Sequence, residues 1–171
     1  MPDEISVELI DGGFYLSAPG MRHQYIASEL HFAFMYYIKQ HGGKCSVSES
    51  PNVRLDADVK TIVKPDLAIL CDSKKSEEQA IVGAPDLVIE ILSPSTEKID
   101  KGLKYTKYKN AGVKEYWIID LTKETVSVFD FANGVPMMLY GLTDKVPVGI
   151  YLGECLIDFM EIMEAMREYS D

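Results

Sequence analysis

Glu90 stands inside Leu87-Val88-Ile89-Glu90-Ile91-Leu92, a run otherwise wholly apolar. Burying an unpaired carboxylate costs several kcal/mol, so this position demands either a partner or a function. A structural partner would be the hydroxyl of a buried tyrosine or a lysine of the helix that follows. A functional partner is Asp66, which follows Pro65 in the preceding strand candidate. Two carboxylates converging from neighbouring strands make a site for a hard cation, one that takes oxygen ligands, keeps waters and binds phosphate oxygens. Taken alone, Asp66 reads as an ordinary strand-end aspartate. Pro85-Asp86 is a second Pro-Asp pair. Asp86 lies four residues before Glu90 on one strand, about 13 Å away at ~3.3 Å per residue, too far for both to ligate one ion. It is read as a residue at the start of the strand or as a supporting group.

Strand alternation places Leu92 on the face of Glu90, where a lysine would polarise an attacking water. The nearest replacement is Lys104, in a helix that reaches back over the strand end. Asp100 lies one turn before it and Tyr108 one turn after, so the three share a helical face. An exposed lysine in a salt-bridged helix is the alternative.

The elements that must position these groups are legible in the hydrophobic pattern. Ile5 to Ile10 and Phe14 to Leu16 flank Asp11-Gly12-Gly13 and predict an opening β-hairpin. From Met21 to His41, Ile26, Leu30, Ala33, Phe34, Tyr37 and Ile38 recur at helical spacing, and Gly42-Gly43 end the run. Strands are predicted over Lys44 to Leu55, Ile62 to Leu70 and Asp86 to Leu92, the last apolar on both faces apart from Glu90. Ser93-Pro94-Ser95-Thr96 opens a helix that Gly112 closes. Glu115 to Asp120 and Thr125 to Phe131 read as paired strands, and Asn133-Gly134 turns into Val135 to Tyr140. A final helix after Leu156 carries Phe159, Ile162, Met163 and Met166 on a core face. From residue 21 to 120 the order is helix, three strands, helix, strand. That is the αβββαβ core of the restriction-endonuclease-like α/β fold, here with added β-hairpins and a C-terminal helix, and one domain over residues 1–171 is expected.

The succession Val63-Lys64-Pro65-Asp66, then Ala84 to Ser95, then Asp100, Lys104, Tyr108, Gly112-Val113 and Glu115 to Asp120, closely resembles the Uma-type restriction endonuclease family of the PD-(D/E)XK nuclease superfamily. The likeness extends from Glu8-Leu9-Ile10-Asp11-Gly12 and Ala18-Pro19 with His23 to about Phe159. It implies Mg²⁺ (or Mn²⁺) held by Asp66, Glu90 and the carbonyl oxygen of Ile91, with Lys104 as a migrated catalytic lysine. DNA is the implied substrate, and a homodimer is compatible because many such nucleases cut two strands as dimers. The leucine at position 92 is a departure shared with this family. His23 matches a family position; a structural histidine is the preferred reading, with the site rim as the other. His31 and His41 have no partner that the sequence suggests.

The 171 residues, 47% of them apolar, suffice for one substantial core and exclude a disordered chain. Met1-Pro2-Asp3-Glu4 is acidic and has no basic segment followed by an apolar run, so no secretory signal is expected, and no apolar stretch approaches the roughly 20 residues needed to cross a bilayer. Cys45, Cys71 and Cys155 show no paired spacing for zinc or a disulfide framework, so buried free thiols in a cytoplasm are expected. The net charge of −10 argues against tight nonspecific nucleic-acid binding. Locally, Lys98, Lys101, Lys104, Lys107, Lys109 and Lys114 form either a phosphate-tracking stripe or a solvated helix face. A rival function from another class is a non-catalytic module that binds a protein partner through the acidic surface of a degenerate nuclease scaffold.

Overall fold

The computed structural model describes residues 5–55 and 60–168. The reading of Met1-Pro2-Asp3-Glu4 lies outside these. The opening hairpin is β1 (Ser6–Ile10) and β2 (Gly13–Ser17), paired antiparallel through a turn in which Asp11 and Gly12 both take positive φ. Helix α1 spans Met21–His41 as predicted; it buries Ile26, Leu30, Phe34 and Ile38 and ends on left-handed Gly42.

Two of the predicted strands are each divided. Lys44 to Leu55 becomes β3 (Ser46–Glu49) and β4 (Val53–Arg54); Ile62 to Leu70 becomes β5 (Ile62–Val63) and β6 (Leu67–Leu70). Pro51 and Pro65 sit in the breaks. A proline cannot donate to a ladder, so each break lets the chain leave one sheet for another. A short β7 (Ile81–Val82), which the hydrophobic pattern did not reveal, precedes β8 (Leu87–Ile91). After β8 the chain runs through π-helical turns at Ile99–Lys104 into α2 (Tyr105–Ala111), closed by left-handed Gly112. Then come β9 (Glu115–Asp120), β10 (Thr125–Asp130) and β11 (Val135–Gly141). A second unanticipated pair, β12 (Lys145–Pro147) and β13 (Leu156–Asp158), leads into α3 (Phe159–Glu168).

The main sheet has the order β11-β10-β9-β8-β6-β3, antiparallel except for the β8–β9 pair. A parallel pair needs a crossover, and the helical segment from Ile99 to Ala111 supplies it. A second sheet has the order β2-β1-β5-β4-β7. Alternation along β8 divides the core in two. Leu87, Ile89 and Ile91 join the cluster under α1 and α3, with Phe34, Trp117 and the Phe159, Ile162, Met163, Met166 face. Val88 joins Ile10, Val53, Val63 and Tyr108 on the opposite side, beneath the second sheet and α2. Glu90 shares the face of Val88, so its carboxylate enters the layer between the two sheets.

The expectation of three free thiols is corrected. Cys45 and Cys71 form a disulfide, and only Cys155 is a buried free cysteine. The cause is register: β3 pairs Ser46 with Leu70, which sets the next residue outward on each strand face to face. Spacing along the chain carries no trace of that pairing. Among the described residues no helix is long and apolar enough to cross a membrane.

A candidate metal and nuclease site between the two sheets

The β6–β8 register pairs Leu67 with Ile89; continued by one residue, it sets Asp66 opposite Glu90. Both line one cavity of about 40 Å³, together with Glu8, His23, the Ile91 backbone, Asp100 and Lys104. The sequence-selected Asp66, Glu90, Ile91 and Lys104 are therefore brought together.

Lys104 is the hub. It is 2% exposed, and its ammonium lies 2.8 Å from Glu8, 2.9 Å from Glu90 and 3.2 Å from Asp100. The exposed-lysine alternative is excluded. Burial pulls its pKa down, but Glu90, Asp100 and Glu8 outweigh that effect and hold it above the usual lysine range. It thus remains an ammonium and cannot accept a proton from water. Glu90 Oε1 also accepts from the Tyr108 hydroxyl at 2.6 Å. Both structural partners foreseen for Glu90, a tyrosine and a lysine of the next helix, are therefore real. Burial pushes the Glu90 pKa well up; Lys104 opposes this, while Asp100, Asp66 and Glu8 add to it. Burial likewise raises Asp100 against the pull of Lys104.

Asp66 occupies the other side of the cavity. Its Oδ2 accepts from the Ile91 amide at 2.6 Å and contacts His23 Nε2 at 3.1 Å. His23 therefore lines the cavity, as the rim reading has it, while its bond to Asp66 also fits a structural histidine. Burial lowers its pKa, yet the hydrogen bond and charge of Asp66, with a further contribution from the Ile91 backbone, leave it raised overall. Its Nδ1 is buried and without a hydrogen-bond partner. Asp86, by contrast, sits at the start of β8, where it accepts from the Cys71 amide and pairs with Lys114, clear of the cavity.

The donor set suits a hard cation. Among the described residues Asp66 bonds through Oδ2 alone, and Glu8 and Glu90 through Oε1 alone. Each carboxylate thus keeps a second oxygen. No three His, Cys, Asp or Glu side chains among the described residues converge closely enough to hold an ion by themselves. A site here would be completed by a backbone carbonyl and water, which hard cations accept readily. Three carboxylates, Glu8, Glu90 and Asp100, touch one ammonium and Asp66 faces the same cavity, more acids than one structural ion pair would require.

The family description "Uma2: Putative restriction endonuclease" matches residues 1–140. The chain belongs to the Uma2 family. A curated relative, "Uncharacterized protein slr1290" of Synechocystis sp., is 27% identical over 124 residues, 71% of this chain. The match spans 64% of that relative's length, just under two thirds. Among solved structures, "a putative nuclease belonging to DUF820 from Anabaena variabilis" superposes with a TM-score of 0.76 at 22% identity, covering 96% of this chain and 93% of that one. The Uma2 chain therefore has that nuclease-type α/β fold.

Uma2 membership is consistent with the resemblance carried by Pro65-Asp66 and Glu90 to Ser95. Sequence reasoning quoted Glu8 only as the start of the opening stretch of that resemblance and gave it no role. The available signal was an acid at an inward position of the first hairpin, between the inward Ser6 and Ile10. The lysine stripe is mostly spent on internal partners: Lys101 on Glu97, Lys104 in the cavity, Lys107 on Asp11 and Lys114 on Asp86. That favours a salt-bridged face over a phosphate track. His31 pairs with Glu49, and His41 bonds the Tyr37 carbonyl.

Proposed function

We propose that the chain is a metal-dependent endonuclease that hydrolyses DNA phosphodiester bonds. The observation that carries this reading is the gathering of three buried acids, Glu8, Glu90 and Asp100, around Lys104, with Asp66 opposite Glu90 on the same cavity. A degenerate binding scaffold would have no reason to keep such a costly cluster, which argues against the non-catalytic interaction module. Asp66, Glu90 and the Ile91 carbonyl would hold Mg²⁺ (or Mn²⁺), which when bound acidifies a water and offsets charge on phosphate. Asp66 is held by the Ile91 amide and His23, and Glu90 by Lys104 and Tyr108, so both carboxylates are oriented before any ligand arrives. Lys104, kept protonated, presents positive charge to the anionic phosphate. A homodimer, one site per strand, belongs to the same proposal. The cytoplasmic assignment drew on free thiols, and the Cys45–Cys71 bond withdraws that support.

Supercoiled plasmid and single-stranded DNA incubated with Mg²⁺ or Mn²⁺ should be nicked. Asp66→Asn should slow this by a factor on the order of 10³, a loss typical of removing a group that organises charge in the transition state. Absence of cation-dependent cleavage in protein that binds Mn²⁺, or full activity in Asp66→Asn, would overturn the assignment.

A further inference from the structure

Glu8 occupies the middle of β1, where alternation turns Ser6 and Glu8 toward the cavity and leaves Val7 half exposed on the other face. It is 6% exposed. Its Oε1 accepts two hydrogen bonds from groups far apart in the chain, the Lys64 amide at 2.7 Å and the Lys104 ammonium at 2.8 Å. Lys64 is separated from Asp66 only by Pro65, whose fixed φ stiffens the link. β1 meets β5 at one paired position, Leu9 with Ile62, so the Glu8 carboxylate is a further tie between the hairpin and the segment that carries Asp66.

Of the three acids around Lys104, Glu90 belongs to the main sheet and Asp100 to the lysine's own helical segment, one turn away. Glu8 alone comes from the second sheet. A lysine side chain carries up to about 2 kcal/mol of rotamer entropy, and contacts from a single direction leave it free to pivot. An anion approaching from the second sheet removes that freedom through a charge-assisted bond. We propose that Glu8 is a positioning residue, which fixes the Lys104 ammonium and the Lys64–Asp66 segment relative to each other through one carboxylate oxygen. The idea rests on the nuclease reading for its purpose, and its test is independent of cleavage.

The test is ¹H–¹⁵N correlation spectroscopy of lysine ammonium groups at neutral pH, which detects those held still and sheltered from exchange. Wild-type protein should show a Lys104 signal, assigned by its absence in Lys104→Met. Glu8→Gln keeps the size of the side chain and an acceptor for the Lys64 amide but removes the charge. Its Lys104 ammonium protons should exchange about tenfold faster or more, as expected from loss of a hydrogen bond between charged groups. Amide shifts should be confined to residues 63–66 and the segments facing them. Glu8→Asp, which withdraws the carboxylate by one methylene, should give an intermediate rate. An unchanged Lys104 signal in folded Glu8→Gln would overturn the proposal, and so would amide changes spread evenly over both sheets. Faster exchange in Glu8→Gln, from a wild-type protein that cleaves no DNA, would support the positioning role and refute the nuclease reading.

Discussion

Lys104→Ala should yield a protein about 3–5 kcal/mol less stable at neutral pH, the usual cost of stranding buried charges by removing their partner. Glu8, Glu90 and Asp100 all lose the ammonium that touches them. The pH dependence separates lost charge from lost packing. Glu90 and Asp100 already have folded-state pKa values above the ordinary carboxylate range. A group raised in this way contributes stability that is fully present below its unfolded pKa, about 4, and lost as pH rises through the folded value. Lys104 lowers both values, so its removal raises them further and widens the loss as pH climbs. Urea denaturation at pH 5 and pH 7.5 should show a deficit that shrinks at the lower pH. An equal deficit at both would assign the effect to packing alone.

The same substitution should reduce cation-dependent cleavage by a factor on the order of 10² to 10³, because a fixed positive charge acts most strongly where negative charge develops. Lys101 provides the control. Its nearest partner, Glu97, is solvent-exposed, and exposed pairs contribute about 0–1 kcal/mol; the more buried Asp120 lies farther off and keeps its bonds from the Thr122 and Lys123 amides. Lys101→Ala should therefore retain stability and activity. Comparable losses at both lysines would reduce Lys104 to general electrostatic attraction.

Legibility of the site followed sequence distance. Glu90 was visible because one acid interrupts a strand buried on both faces, and Lys104 because Asp100 and Tyr108 mark its helical face. Those signals are local, read at periods of two and about four residues. Glu8 escaped notice because Val7-Glu8-Leu9 looks like any amphipathic edge, and its partner Lys104 is contributed by a distant crossover segment. The division of the chain between two sheets escaped for a related reason. Val47 and Val53, and likewise Val63, Leu67 and Ile69, keep one alternating parity across Pro51 and Pro65, so periodicity alone reads through the breaks. Only ladder bookkeeping, which asks where a proline's missing donor would have gone, exposes them. The Cys45–Cys71 bond required the β3–β6 register itself, and His23 required knowing that the start of α1 abuts Asp66.

Joint replacement of the two opposed acids, Asp66→Asn with Glu90→Gln, should abolish stabilisation by divalent cations. A ligand present at a hundredfold its dissociation constant adds about 2.7 kcal/mol to a folded state that binds it and an unfolded state that does not. For a chain of this length that corresponds to a rise of roughly 5–10 °C in the thermal midpoint. Wild-type protein titrated with Mn²⁺ in a calorimeter should show this rise; the double variant should not. Without the cation the order reverses. Glu90 is raised well above its ordinary pKa by burial, with Asp100, Asp66 and Glu8 adding to the effect, so its ionisation costs stability as pH climbs from about 4 toward neutrality. Glutamine keeps an oxygen for the Tyr108 hydroxyl and Lys104 while removing that charge. The metal-free double variant should therefore melt above wild type at pH 7.5, and the difference should shrink toward pH 4, where Glu90 holds its proton. An equal Mn²⁺-dependent rise in both proteins would place the cation elsewhere. A metal-free variant less stable than wild type at pH 7.5 would show instead that the acids serve chiefly to hold Lys104.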